Sequence, residues 1–476
     1  MGRLPNDLLR NLPSVNELLE SPPLKRLVET VNRNVVVTEV RSFLDKLRTD
    51  LKTAAEEIAI PNPTELADRI ATWISDDQKP PLRPVINATG ILLHTGLGRA
   101  PMAQTAIDEL SAMASGYCSL EVDLANGQRS QRVAAVEKLL TDLTGAEAAA
   151  VVNNNAAATM LTLSAIAGGQ GVVVSRGQLV EIGDSYRLPD VMAMSGATLR
   201  EVGTTNKTRF EDYEQACDDQ TGALLRVHTS NYKIIGFHEE VALEKLVALG
   251  KKRGVPVIDD IGSGAVIDFS RFGITDEPRA QESIGAGADL VLFSGDKLMG
   301  GPQCGIVVGN RSLVKKIVKH PLMRAMRVDK LTLAALAATL RLYANETVAL
   351  QSVPLLSLLS TSEENLKNRA ERLAPRISAS SMVQSAEPVP DQNFLGGGSV
   401  PTHQLPTWCV SIAPANLSVD SLATRLRTGQ PAVFGRIKED RLMLDLRSVF
   451  PSQDTQLVEV LDACVTDETS DEQAES

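Results

Sequence analysis

The sequence predicts an α/β fold carrying a helical N-terminal module and a small α+β C-terminal domain. Short apolar strands alternate with helical segments across residues 130–310, the pattern of a parallel sheet covered by helices. Helical spacing dominates before residue 73, and after residue 406 three strand-like runs surround one helical segment. The boundaries implied are 1–80 for the module and its linker, 81–345 for a large α/β domain that holds the site, 346–465 for the small domain, and 466–476 for an acidic tail.

Composition narrows the function classes. A chain of 476 residues has room for more than one core, and 43% apolar with 22% charged residues is ordinary for a soluble globular protein. Few aromatics argue against base-stacking platforms, and a formal charge of −11 argues against a broadly basic nucleic-acid binder while leaving room for a local basic face. Part of the acidity lies in TDETSDEQAES at the end, which reads as disordered. Five scattered cysteines form no CxxC, and with five scattered histidines no metal-ligand spacing appears, so no metal is expected. No signal peptide and no apolar run of about 18 residues is seen, which points to a cytoplasmic protein with reduced cysteines and no membrane partner.

In chain order, apolar residues at three- and four-residue spacing give helix from Arg3 to about Trp73, with a break and new start at Pro61, Pro63 and Thr64. Lys79, Pro80 and Pro81 read as a linker. In VINATGILLHTGLGRAP, Gly96-Leu97-Gly98 lacks the third glycine of a dinucleotide fingerprint, while Arg99 follows a flexible turn and is either an anion clamp or a surface arginine. Ala148 to Val152 is a strand, and Asn153, Asn154 and Asn155 open a helix whose amino end suits a phosphate or simply carries an asparagine cap.

Val172 to Ser175 is the next strand, and those at ALLRVHT and VPVIDD end in polar residues, at the edge where open α/β sheets bind ligands. His228, Ser230, Asn231, Asp259 and Asp260 are therefore candidates for one site. A carboxylate ending a buried strand needs a cation, and a pyridinium nitrogen is one.

Lys297 stands in SGDKLMGGPQC between strands expected at Ala288 to Phe293 and Ile306 to Val308. A lysine placed between core strands sheds its proton readily, as a carbonyl-reactive amine must. These residues alone leave two readings, a Schiff-base lysine for pyridoxal phosphate or a surface-turn lysine. Farther on, Arg324 and Arg327 share a face if helix has begun there, toward either an anion or water. Pro354 to Pro375 reads as helix, and Ser378 to about Pro406 as loop. WCVSIAP, PAVFGRI and RLMLDLRSV read as strands around a helix at 418–428.

The strings INATG, HTGLGRAP, SRGQLVEIGDSYRLPDVM, EVGTTN, VHTSNYKIIGF, DDIGSG, SGDKLMGGPQCGIVVG, HPLMRAMRVDKLTLAAL and FGRI…LMLDLRSV closely resemble the bacterial selenocysteine synthases, the L-seryl-tRNA(Sec) selenium transferases. The likeness runs from about Arg83 to Val449, and PSVNELL looks like the family's opening helix. It implies fold type I, the aminotransferase-like fold of pyridoxal-phosphate enzymes. It makes Lys297 the Schiff-base lysine, Asp296 its acidic neighbour, and Arg99, Arg324 and Arg327 the active-site arginines for a selenophosphate-type anion. Asp260 of the D-x-G-S-G string is preferred over Asp259 for the pyridine nitrogen. Asn154, Asn155 and Ser294 are phosphate candidates, and His228 and Asn231 complete the cofactor set. Two positions depart from the family pattern, Gly96 where asparagine is usual and Ser130 where glycine is usual.

The implied reaction is β-replacement on seryl-tRNA(Sec). Lys297 takes the α-proton, the β-hydroxyl leaves, and selenium from selenophosphate enters, with the helical module gripping the tRNA. The resemblance also implies a large homo-oligomer, a homodecamer, with sites between subunits. Two other readings stand beside it: a related lyase acting on a small amino or sugar acid without tRNA, and a catalytically silent RNA-binding scaffold.

Overall fold

A computed structural model of the chain describes residues 12–53, 62–77, 82–183, 186–396 and 399–462. It forms two compact units, one from the described residues before Pro84 and one from Val85–Asp462. Of the large and small domains expected at 81–345 and 346–465, residues 85–462 form the second unit together. The helix expected from Arg3 is described only from residue 12, and the Lys79 linker and acidic tail lie outside the described residues.

Among its described residues the first unit holds four helices, Val15–Leu19, Pro22–Thr30, Arg33–Thr53 and Pro63–Asp77. The last starts where the prolines predict a break. Asn62 Oδ1 accepts the amides of Thr64 and Glu65 at 3.1 and 2.9 Å, and Pro63 needs no partner at the first helical position. Val36, Val40 and Leu44 on one helix and Leu66, Ile70 and Ile74 on another are fully buried, a four-residue spacing that puts each set on one face.

The second unit is built on a seven-stranded sheet. Its strands are β2 (Ala148–Val152), β3 (Gly171–Ser175), β6 (Thr198–Val202), β7 (Thr221–Val227), β8 (Val257–Gly262), β9 (Leu290–Ser294) and β10 (Gly305–Gly309), in the order β2-β10-β9-β8-β7-β3-β6. Before them comes β1 (Val85–Asn87), and a two-stranded ribbon of β4 (Glu181–Ile182) and β5 (Tyr186–Arg187) stands apart from the sheet. Within the seven-stranded sheet β10 runs opposite to the other six strands.

Both faces of the sheet are covered, which is why its strands read as unbroken apolar runs. Alternate residues divide between two cores: Val291 and Phe293 pack on one side, Leu290 and Leu292 on the other. The same pleat sends Asp259 and Asp260 to opposite faces. Helix Asn155–Ala167 covers the Asp260 face, and helix Ala280–Gly285 the Asp259 face.

Residues 378–406 correct the loop expected there. They hold most of a long hairpin, β11 (Val383–Gly396) and β12 (Ser399–Pro414), continued by β15 (Arg441–Asp445) and β14 (Arg436–Lys438) in the order β11-β12-β15-β14. The signal is masked because β11 is an edge strand. Pro388 and Pro390, two residues apart, present the same side of the backbone, where no ladder donor is needed. Between these strands, β13 (Ala432–Phe434) pairs with β1.

The shared helical face expected for Arg324 and Arg327 is also corrected. Helix Leu322–Met326 ends before Arg327, whose extended backbone (ψ 146°) bridges to Val152 on the open edge of β2. The two departures from the family pattern are accommodated. A Cβ at Gly96 meets only the end of the His94 ring at 3.4 Å, and Ser130 is not among the residues with positive φ. No helix among the described residues is long and apolar enough to cross a membrane. The four described cysteines are free.

Candidate active site

At the carboxyl ends of β7, β8 and β9 lies a cavity of about 230 Å³. Its lining includes Lys297, Asp296, Arg99, Asp260, Asn154, Asn155, Ser294 and His228. Sequence positions from 99 to 297 meet there because parallel strands deliver their ends to one edge of the sheet.

Lys297 sits in the connection between β9 and β10, and backbone bonds hold that connection rigidly. Gly301 N donates to Gly295 O at 2.8 Å, Gly295 N to Cys304 O at 2.9 Å, and Leu298 N to Ser263 O at 3.0 Å. Gly295 has no room for a side chain, since a Cβ would stand 2.5 Å from Cys304 Sγ and 2.6 Å from Pro302 O. The lysine is 5% exposed. Burial, and next the Arg99 guanidinium, hold its amine below the usual lysine range, against the charges of Asp296 and Asp260. An amine so placed is poised to condense with a carbonyl.

Arg99 reaches this loop from the turn after Gly98. Both residues are left-handed, with φ 93° at Gly98 and 65° at Arg99, a conformation that costs a non-glycine residue about 1–3 kcal/mol. The turn places Arg99 Nη1 2.8 Å from Asp296 Oδ2.

Asp260 is 4% exposed and accepts from Asn155 Nδ2 at 2.9 Å and Thr159 Oγ1 at 2.8 Å. Burial pushes its carboxyl above the usual range, the two bonds pull it back, and the charge of Asp259 adds to the rise. Asp259 belongs to another cluster, bound to Arg226 at 3.0 Å and Ser283 at 2.6 Å. A buried carboxylate facing a cavity and raised in this way fits a cationic ring nitrogen.

Asn154 caps helix Asn155–Ala167 by accepting the Ala157 amide at 2.8 Å, and the amino end of that helix opens on the cavity beside Ser294. Free amides at a helix start fit a phosphate. The donor set therefore suits pyridoxal phosphate: an amine, a carboxylate that would serve a ring nitrogen, and amides that would cradle a phosphate.

The structure does not bring every candidate to this cavity. Asn231 Nδ2 donates to Glu181 O at 2.8 Å, and the residue lies outside the lining. Arg324 and Arg327 line a separate, larger cavity of about 960 Å³ with Arg129, Arg132, Arg311 and Lys315. Sequence reasoning missed Tyr186, Thr159 and Glu277. Tyr186 lines the cavity, and its phenol is pushed up by burial and by the charge of Asp260. Thr159 had a signal in its place one helical turn after Asn155. Glu277 had none, since its partner, His228, is far away in the chain.

Comparison with known proteins agrees with this architecture. A family model described as L-seryl-tRNA selenium transferase matches residues 85–450, and one described as selenocysteine synthase N terminal matches residues 9–48. The L-seryl-tRNA(Sec) selenium transferase of Moorella thermoacetica is 47% identical over 458 residues, covering 96% of each chain. That of Carboxydothermus hydrogenoformans is 45% identical over 448 residues, covering 94% of this chain and 95% of its own. A solved D-glucosaminate-6-phosphate ammonia-lyase shares the fold, with TM-score 0.55 and 21% identity over 85% of this chain and 98% of its own. The fold is fold type I, as the sequence predicts, and the chain belongs to the L-seryl-tRNA selenium transferase family.

Proposed function

We propose that this chain converts L-seryl-tRNA(Sec) to L-selenocysteinyl-tRNA(Sec), with pyridoxal 5′-phosphate as cofactor and selenophosphate as selenium donor. In a chain of this family, the observation that carries the reading is the meeting at one cavity of Lys297, Asp260 and the helix start at Asn154. When bound, the cofactor supplies an electron sink that acidifies the seryl Cα and lets the β-substituent depart.

The chain's own residues do the rest. Lys297 would hold the cofactor's carbonyl carbon, and its amine would carry the proton from seryl Cα. Asp260 would hold the proton on the ring nitrogen, and Asn154, Asn155 and Ser294 would hold the phosphate; His228 lines the cavity from the end of β7. Arg99 orients the anionic selenium donor. Asp296 anchors Arg99 and is assigned to proton transfer beside Lys297. The β-hydroxyl takes up a proton and leaves Cβ as water, selenophosphate selenium bonds to Cβ as a proton returns to Cα, and water then cleaves the Se–P bond to release phosphate.

Arg324 and Arg327 are assigned to the site of a neighbouring subunit in a homo-oligomer, a homodecamer by family resemblance. Their position in a separate cationic cavity supports this assignment. The helical module in 1–80 is assigned to gripping the tRNA, which places the reaction in the cytoplasm. Purified protein is expected to convert seryl-tRNA(Sec) with selenophosphate, leave free serine unreacted, and shift the tRNA in a gel. Protein that never takes up pyridoxal phosphate would overturn the reading, and conversion of a small amino or sugar acid without tRNA would favour the lyase.

A further inference from the structure

Behind the cavity wall, against the lining residue His228, lies a buried carboxylate to which the proposed mechanism gives no task. Glu277 lies in the segment between the turn at Phe269–Phe272 and helix Ala280–Gly285. That segment is stitched to the end of β8, with Ala265 and Arg279 bridged in parallel and Ala280 N donating to Ala265 O at 3.4 Å. The Glu277 side chain is only 3% exposed, and its Oε2 is buried without a hydrogen-bond partner. Its Oε1 lies 3.4 Å from Nε2 of His228, whose side chain is 16% exposed and lines the cavity. His228 is fixed from its backbone too, since its amide donates to Asp260 O at 2.9 Å.

A carboxylate removed from water needs a charge partner, and one bond from a neutral ring is poor compensation. The other charges near the pair are already engaged. Asp276 is bound to Lys233 at 2.6 Å, Asp296 to Arg99 at 2.8 Å, and Asp260 to Asn155 and Thr159. Lys297 lies among the groups that feel the charge of Glu277.

We propose that Glu277 is a positioning residue, which holds the His228 ring through Nε2 as an imidazolium at the cavity wall and so presents a fixed hydrogen-bond donor to an oxygen of the bound cofactor. The part concerning the cofactor rests on the function proposed above; the part concerning the ring does not.

The first experiment uses the full chain without cofactor, labelled with ¹⁵N-histidine and measured by solid-state NMR near neutral pH. The chain has five histidines, and the His228→Gln variant identifies the signal of interest. The wild-type His228 nitrogens are expected to be of imidazolium type, and those of Glu277→Gln of neutral type. A neutral ring in the wild type, or an unchanged ring in Glu277→Gln, would overturn the proposal. The second experiment measures pyridoxal phosphate affinity by equilibrium dialysis. Glu277→Gln is expected to bind about ten-fold more weakly, the scale of one lost charge-assisted bond. Glu277→Asp is expected to recover part of that loss, and Glu277→Gln to add nothing in a His228→Gln background. Full additivity of the two substitutions would sink the pairing. If Glu277→Gln does not fold, Glu277→Asp carries the test, and a wild-type affinity with an unchanged ring signal in Glu277→Gln or Glu277→Asp counts against the proposal. Wild-type protein with no affinity for pyridoxal phosphate overturns the functional reading, while the NMR result stands on its own.

Discussion

Arg99 Nη1 stands 2.8 Å from Asp296 Oδ2, so the residue just before the buried lysine is tied to a turn nearly two hundred positions earlier in the chain. The pair acts on Lys297 in opposite senses: Arg99 holds its amine below the usual range and Asp296 pulls it up.

Condensation with a carbonyl requires the neutral amine, so the rate of cofactor capture rises with pH and levels off above the pKa of Lys297. That rise is expected well below the pH at which an ordinary lysine titrates. Arg99→Gln removes a cation and moves the rise to higher pH. Asp296→Asn removes an anion and moves it to lower pH. Stopped-flow absorbance across a pH series measures both, and a shared direction would contradict the arrangement.

Asp260→Asn is expected to abolish cofactor binding while stabilising the cofactor-free fold at neutral pH by about 1 kcal/mol. Folding raises this carboxyl, so the folded chain binds more protons than the unfolded one. Its penalty is therefore absent below the usual aspartate range and grows as pH rises toward the folded-state value. Thermal melts of both proteins without cofactor are expected to diverge at neutral pH and converge in acid.

Gly305→Ala is expected to destabilise the chain by about 1–3 kcal/mol and to weaken cofactor binding further. A methyl group at Gly305 runs into the carbonyl of Asn154, which begins the helix assigned to the phosphate. Denaturant unfolding combined with dialysis separates the two effects. Unchanged affinity in a destabilised but folded variant would remove the phosphate from that helix start.

Chains carrying Lys297→Ala and chains carrying Arg324→Ala are each expected to be inactive alone. Co-expressed, they are expected to recover roughly a quarter of wild-type turnover, the share of sites that random pairing completes. No recovery would return Arg324 to a role within its own subunit.

Much of this protein is legible in its sequence. Strand β2 is found at its expected residues and β9 and β10 within two, because covered strands must be apolar on both faces and glycines mark their ends. The helix after Asn154 and the start after Asn62 follow from local capping chemistry. The hairpin β11–β12 was hidden because edge prolines look like loop until a neighbouring strand is in place.

The sequence by itself determined the residue types the chemistry needs, Lys297, the adjacent Asp259 and Asp260, Arg99 and the asparagines, along with the alternation that builds the sheet. Only the tertiary structure decided which of two adjacent aspartates faces the cavity, since the pleat sends Asp259 to Arg226 and Asp260 to Asn155. It likewise put Arg324 and Arg327 in a cavity of their own and Glu277 against His228. Burial and charge pairing are properties of groups brought together from distant parts of the chain, and no spacing within one segment encodes them.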